Sequence, residues 1–378
     1  MEFKISSALK NLIGKELITN DVVAIFELVK NSYDAGANTV KIIFENIKEN
    51  NSNEGKILII DDGSGMSKKD IEEKWLFLGF SEKKFSEKEL EKDFRDKIQN
   101  RRIYAGAKGI GRFSCDRLGS NLEIYTKKDT YNYLKIEWNK FEEDQNKEFQ
   151  NIPFIYEKNS QHRFPIHIEN TGTILEISKL RDEWDYKKLQ QLKRYLQRLL
   201  NPVQSNDDSF EIILEAKEFL EKDKNEKFDY NIVNGLIENV VYEKLKIKTT
   251  MIECSISEDG SEISTKLEDK GNFIYEFSEK NEFHLLKNLK FKFSFLNVIA
   301  KTTFTKLMGI EPKNFGSLFL FKNGFRILPY GEPNDDWLGL DLRKTQGHSR
   351  FLGTRDMMGR IEIYGHQPDF REVTSRSE

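Results

Sequence analysis

Apolar residues Val22, Val23, Ile25, Phe26, Leu28 and Val29 recur at helical spacing and leave a polar strip between them. A helix with a wide buried face is therefore expected from Asp21, capped by Asn20 or Thr19 and closed by Gly36, a residue suited to left-handed backbone. The β-branched and aromatic runs at 39–46 and 56–60 predict strands on either side of an Asn-rich, charged turn at 46–55. The second run leads straight into D-D-G-S-G-M at 61–66, after which a helix carrying Trp75, Leu76 and Leu78 is expected. Residues 81–103 hold mostly Lys, Glu, Asp and Arg, a composition that suits a solvated, mobile segment. They run into G-A-K-G-I-G-R-F-S at 106–114, a glycine-rich loop opening a helix. Alternating stretches at 121–126 and 133–138 predict a hairpin, and a third strand at 172–177 precedes a helix at about 185–200 that carries Leu189, Leu192, Tyr195, Leu196 and Leu199.

The polar, Pro-containing stretch 201–209 reads as a domain boundary. The chain beyond it is strand-rich, in E-I-I-L, T-T-M-I-E-C-S-I, L-K-F-K-F-S-F and S-L-F-L-F, with a hairpin turning at Asn323 and Gly324. With 378 residues and no internal repeat, two domains are expected, 1–204 and 205–378.

Composition narrows the classes. Hydrophobic residues make up 38% and charged residues 33%, with a net charge of −3, which implies a mixed-sign surface and no global basic excess of the kind that marks a nucleic-acid binder. Cys115 and Cys254 fit neither a disulfide framework nor a metal-ligand spacing, and five scattered histidines do not either. The first residues lack the apolar core of a secretion signal, and no run reaches the length of a membrane span, so a cytoplasmic protein without a membrane partner is expected.

Three stretches carry possible chemistry. On the first helix Glu27 and Asn31 lie four apart and Asp34 three further on, so all three project from one face. A carboxylate, an amide and a second carboxylate there could activate water and hold a metal ion, or form an ordinary solvated stripe. Asp61, Asp62 and Gly63 could serve a ligand or simply end a strand. The loop from Gly106 to Gly111 offers successive backbone N–H groups and the field of the helix behind it, an anion site. It is not a Walker A loop, because no G-K-[ST] follows at the required spacing.

The order of these stretches resembles the Bergerat nucleotide-binding fold of the GHKL ATPases, the superfamily of the gyrase ATPase subunit, the ninety-kilodalton heat-shock chaperone, histidine kinases and MutL. E-L-V-K-N-S-Y-D-A-G-A resembles its first box, D-D-G-S-G-M its second, G-A-K-G-I-G its third, and T-G-T-I-L-E-I a fourth, across most of residues 1–200. The resemblance implies an α/β sandwich, a mixed sheet with helices on one face, that takes ATP and Mg2+. It implies Glu27 as the base that activates water, Asn31 as the magnesium ligand, Asp61 as the acceptor for the adenine amine, and Asp34 in a supporting role. Gly63, Gly65, Met66 and Thr173 would line the base. Gly106, Lys108, Gly109, Ile110, Gly111, Arg112 and Phe113 would close over the phosphates as part of a lid at about 81–113, with Ser81, Lys83 and Lys84 as charged lid surface.

For the second domain the resemblance implies an S5-like transducer, as in the gyrase, chaperone and MutL branch, which supplies a basic residue to the γ-phosphate. Lys344 in L-D-L-R-K-T-Q-G-H-S-R is the candidate, with Arg343 and Arg350 behind it, although the order K-T-Q reverses the gyrase-type loop. The expected function is ATP binding and slow hydrolysis coupled to lid closure and to homodimerisation through residues 1–20. The machine would be a larger one, acting in nucleic-acid maintenance or anti-phage defence with DNA or an effector as partner. A chaperone ATPase, a kinase and a non-hydrolysing ATP-binding module are the alternatives. The last residues, D-F-R-E-V-T-S-R-S-E, end without a turn or cap, so the chain is expected to continue in the full protein.

Overall fold

The computed structural model describes residues 20–47, 54–76, 114–141, 154–199, 210–237, 249–283, 285–322, 325–327, 329–347 and 350–364. The chain divides into two units, Met1–Gln197 with Ser205–Ile237, and Arg198–Gln204 with Glu238–Glu378.

In the first unit helix α1 (Asp21–Asp34) starts where Asn20 accepts a hydrogen bond from the Val23 N–H at 2.9 Å. It ends in a Schellman arrangement: Gly36, at φ +77°, donates to Tyr33 O, and the Ala37 N–H returns to Ser32 O. Strands β1 (Thr39–Glu45) and β2 (Lys56–Asp61) follow. The helix expected after β2 is a three-residue turn at Lys68–Asp70, closed by a Ser67–Asp70 capping box and continued by a π turn at Ile71–Trp75. Then come α2 (Ser114–Leu118), β3 (Gly119–Lys127), β4 (Tyr131–Glu137), β5 (Ile155–Lys158), β6 (Gly172–Leu180) and α3 (Tyr186–Leu199).

The boundary expected at 204/205 falls inside this unit. Strand β7 (Glu211–Ala216) pairs in parallel with β1, and β8 (Gly235–Leu236) pairs with β7. Two features hold the segment there. Its inward residues Ile212 and Leu214 are buried, and Asp223 accepts from the N–H groups of Val233 and Asn234 and from the Tyr186 hydroxyl of α3. The resulting sheet runs β5-β4-β3-β6-β2-β1-β7-β8, mixed because only β1 and β7 run parallel.

Alternation gives this sheet two faces. One carries Ile57, Ile59, Leu122, Ile124 and Ile177, all buried, and receives α1, whose Ala24, Ile25, Phe26, Leu28 and Val29 are buried in turn. Burial of each large side chain of this set contributes roughly 1.5–3 kcal/mol. Phe26 of α1 meets Tyr195 of α3 edge to face. The other face gathers Ile43, Leu58, Tyr125, Tyr133 and Ile174 beneath Ile168 and Phe164.

The second unit is a seven-stranded mixed sheet in the order β11-β10-β9-β12-β15-β13-β14. Its strands are β9 (Thr250–Ile256), β10 (Glu262–Asp269), β11 (Asn272–Lys280), β12 (Leu289–Phe295), β13 (Leu318–Lys322), β14 (Phe325–Ile327) and β15 (Met357–Ile363). Helices α4 (Val298–Met308) and α5 (Pro312–Phe315) pack Phe304, Met308 and Phe315 on Phe319, Phe321 and Met358. The expected hairpin is present as the β13–β14 pair, while its turn residues 323–324 lie outside the described residues. Helix α6 (Leu340–Thr345) precedes β15. No helix among the described residues is long and apolar enough to cross a membrane.

Candidate functional site

The polar strip of α1 survives folding. Val23, Glu27, Lys30, Asn31 and Asp34 line its unburied side, while the residues between them are buried. Among the described residues no hydrogen bond or ion pair engages the Glu27 or Asn31 side chain. Asn31 is exposed and Glu27 is half-buried one turn before it.

Beside this strip β2 ends at Asp61. Its Oδ2 accepts from the Ser32 hydroxyl of α1 at 3.0 Å, and its Oδ1 accepts from the Gly63 N–H at 3.0 Å. Burial pushes its carboxyl up to about 6, against the hydrogen bonds from Gly63 and Ser32; the neighbouring charge of Asp62 adds to the rise. Asp62 turns the other way. Its Oδ1 accepts from the Asn38 and Thr39 N–H groups at 2.7 and 2.9 Å, which pins the start of β1 to the end of β2.

The glycine turn is held by main chain against main chain. The Ser64 N–H donates to Ala35 O at 2.9 Å. Gly65 sits at φ +63°, and a Cβ there would lie 2.0 Å from Lys127 O; a Cβ on Gly172 would lie 2.4 Å from Asp61 O. In the fold Gly65 admits the β3 strand, and Gly63 supplies a donor to Asp61. Met66 is fixed at both ends of its peptide unit, its N–H donating to Thr126 Oγ1 at 2.8 Å and its carbonyl accepting from Asn132 Nδ2 at 3.2 Å. Thr173 lies opposite Asp61 in the β2–β6 ladder, with its hydroxyl 3.1 Å from that of Thr126.

Ser32, Thr126 and Asn132 do not stand out in the sequence. A signal for the last two exists: in 121–126 and 132–136 every second residue is inward, and Thr126 and Asn132 are polar where Leu122, Ile124, Leu134 and Ile136 are apolar.

The expected lid residues Gly106, Lys108, Gly109, Ile110, Gly111, Arg112 and Phe113, and Ser81, Lys83 and Lys84, lie outside the described residues, as do residues 1–19. Helix α2, immediately after the lid segment, is tied to both neighbours. Arg117 pairs with Asp21 at the start of α1 at 2.6 Å and with Asp182 at 2.7 Å, and Asp21 also pairs with Lys188 of α3. Arg181 grips Asp116 through its carboxylate and its carbonyl, each at 2.6 Å.

Lys344 belongs to the second unit, where its ammonium pairs with Asp356, itself 3.6 Å from Lys301. Burial works to raise the Asp356 carboxyl, but the hydrogen bonds from Lys344 and the Gly353 N–H, with the two lysine charges, hold it below the usual carboxylate range. Arg343 stacks over the Phe351 ring at 4.8 Å.

Among the described residues no group of three or more His, Cys, Asp and Glu side chains gathers as a metal cage. An exposed amide oxygen on α1 beside a carboxylate fits the other habit of magnesium, which takes few protein ligands and completes its octahedron with phosphate and water.

Residues 19–167 match the family model for histidine kinase-, DNA gyrase B-, and HSP90-like ATPases. The match takes in α1, the Asp61 turn, the glycine loop and strands β1–β5; Thr173 falls just beyond it. No curated protein matches the chain.

Proposed function

We propose that this chain, whose first unit is a GHKL-superfamily ATPase domain, binds ATP with magnesium and hydrolyses it slowly. The observation that carries the reading is the hydrogen bond that joins Asp61, at the end of β2, to Ser32 of α1, the helix whose unburied strip carries Glu27 and Asn31. An ionised Asp61, with both oxygens already accepting from protein donors, has remaining lone pairs for the exocyclic amine of adenine. Asn31 would hold the magnesium ion that accompanies the triphosphate; that ion supplies charge neutralisation at the phosphates. Glu27 takes a proton from water as its oxygen bonds to the γ-phosphorus and the bridging oxygen departs with ADP, a role that contributes roughly 10²–10⁴-fold in rate.

The wider reading rests on resemblance and composition. The charged segment 81–103 suits a lid, and the strand-rich second unit with its basic α6 suits a transducer that delivers Lys344. ATP-driven closure and homodimerisation of a larger machine, in nucleic-acid maintenance or anti-phage defence, is the use we propose for the cycle. Glu27→Ala should retain ATP binding and lose magnesium-dependent phosphate release; unchanged turnover would remove Glu27 from the mechanism. Stimulation of that release by DNA, falling steeply with salt, would support the nucleic-acid branch.

A further inference from the structure

Four polar side chains cross the first sheet in a single row. Asp61 on β2 opposes Thr173 on β6, Thr173 opposes Thr126 on β3, and Thr126 opposes Asn132 on β4. Directly opposed residues of antiparallel strands share a face, so the row lies on the face covered by α1. The next row along that face is Ile59, Leu175, Ile124 and Leu134, and the one after it is Ile57, Ile177, Leu122 and Ile136. Of these three rows only the one that ends at Asp61 is polar, although Thr126 and Asn132 are completely buried. Burying such groups is costly unless each is hydrogen-bonded, and each is.

The row has a direction. The Tyr156 hydroxyl donates to Asn132 Oδ1 at 2.8 Å, Asn132 Nδ2 donates to Met66 O, and the Met66 N–H donates to Thr126 Oγ1. Thr126 is left with one hydrogen and two acceptors at nearly equal range, Gly172 O at 3.2 Å and Thr173 Oγ1 at 3.1 Å. If it donates to Gly172, Thr173 uses its own hydrogen on Thr126 and has only lone pairs left for a base. If it donates to Thr173, the Thr173 hydrogen is released from Thr126 and can be given to a base bound at Asp61. A 6-aminopurine presents an amine donor beside a ring-nitrogen acceptor, so next to the acceptor Asp61 it needs a donor; a 6-oxopurine presents the opposite pair.

We infer that Thr126 is a specificity-determining positioning residue: by donating to Thr173 it turns the Thr173 hydroxyl into a donor toward the base and selects a 6-aminopurine over a 6-oxopurine. The inference rests on the reading that Asp61 receives the purine amine.

The test compares ADP with IDP, which share ribose and phosphates, on the full chain. The unmodified protein should prefer ADP. Thr126→Val, which keeps the shape and removes the hydroxyl, should lower that preference by about tenfold, and Thr126→Ser should restore it. A folded Thr126→Val variant with the unmodified preference overturns the role of Thr126 and leaves the Asp61 reading standing. An unmodified protein that binds ADP and IDP equally overturns the Asp61 reading itself. Should the valine variant not fold, 1-deaza-ADP decides on the unmodified protein: loss of the ring-nitrogen acceptor should weaken binding by about tenfold, and equal binding of ADP and 1-deaza-ADP overturns the donor assignment.

Discussion

Acidification should weaken adenine-nucleotide binding through one carboxylate. Burial raises Asp61 from its ordinary 3.8 to about 6, so keeping it ionised near neutral pH costs the ligand-free protein roughly 3 kcal/mol. The sign is the reverse of that of a salt-bridged acid. Because the folded value exceeds the unfolded one, the contribution of Asp61 to stability is fully present below the unfolded value and is lost as pH rises through about 6. An amine donor from the base favours the ionised form, so binding releases a proton in that same window. At pH 7.5 nearly all sites are ionised, and at pH 5 about one in eleven, which predicts about a tenfold fall in affinity. Calorimetric titration with ADP from pH 7.5 to pH 5 reads this directly. Titration of the nucleotide phosphates is common to the protein and to an Asp61→Asn variant, so the ratio of their affinities isolates Asp61. That ratio should fall by about tenfold toward pH 5, and the heat of binding near pH 6 should depend more steeply on the ionisation enthalpy of the buffer in the unmodified protein than in the variant. A ratio flat across the window would refute both the burial argument and the assignment of Asp61 to the base.

Two substitutions probe the rest of the architecture. Gly65→Ala should lower stability by more than about 2 kcal/mol and weaken ADP binding with it, since its Cβ would sit 2.0 Å from Lys127 O on a backbone at φ +63°; a thermal melt unchanged from the unmodified protein would refute the close approach. Lys344→Ala should slow hydrolysis without weakening nucleotide affinity and, by freeing Asp356, should cost about 1 kcal/mol of stability, read by denaturant titration. Full activity in that variant would leave Lys344 as a partner of Asp356 alone and pass the finger role to Arg343 or Arg350.

Local periodicity is enough to place α1, β1, β2, the β3–β4 hairpin and α3, because each is written within a short window by the spacing of its apolar residues and by its caps. The same windows put Glu27 and Asn31 on one face and Asp61 at a strand end, which are short-range facts. Strand partnership is different in kind. E-I-I-L at 211–214 reads as a strand in any context, but only packing against β1 decides that it completes the first sheet rather than opening the second domain. Lys344 reads as a free basic residue until α6 is seen to bring it to Asp356. The row from Asp61 through Thr173 and Thr126 to Asn132 joins four strands scattered along the chain. Residue types and the motif order were therefore determined by the sequence alone. Which polar atoms meet was decided by sheet register, a collective result of packing the apolar rows behind them, to which no single segment holds the key.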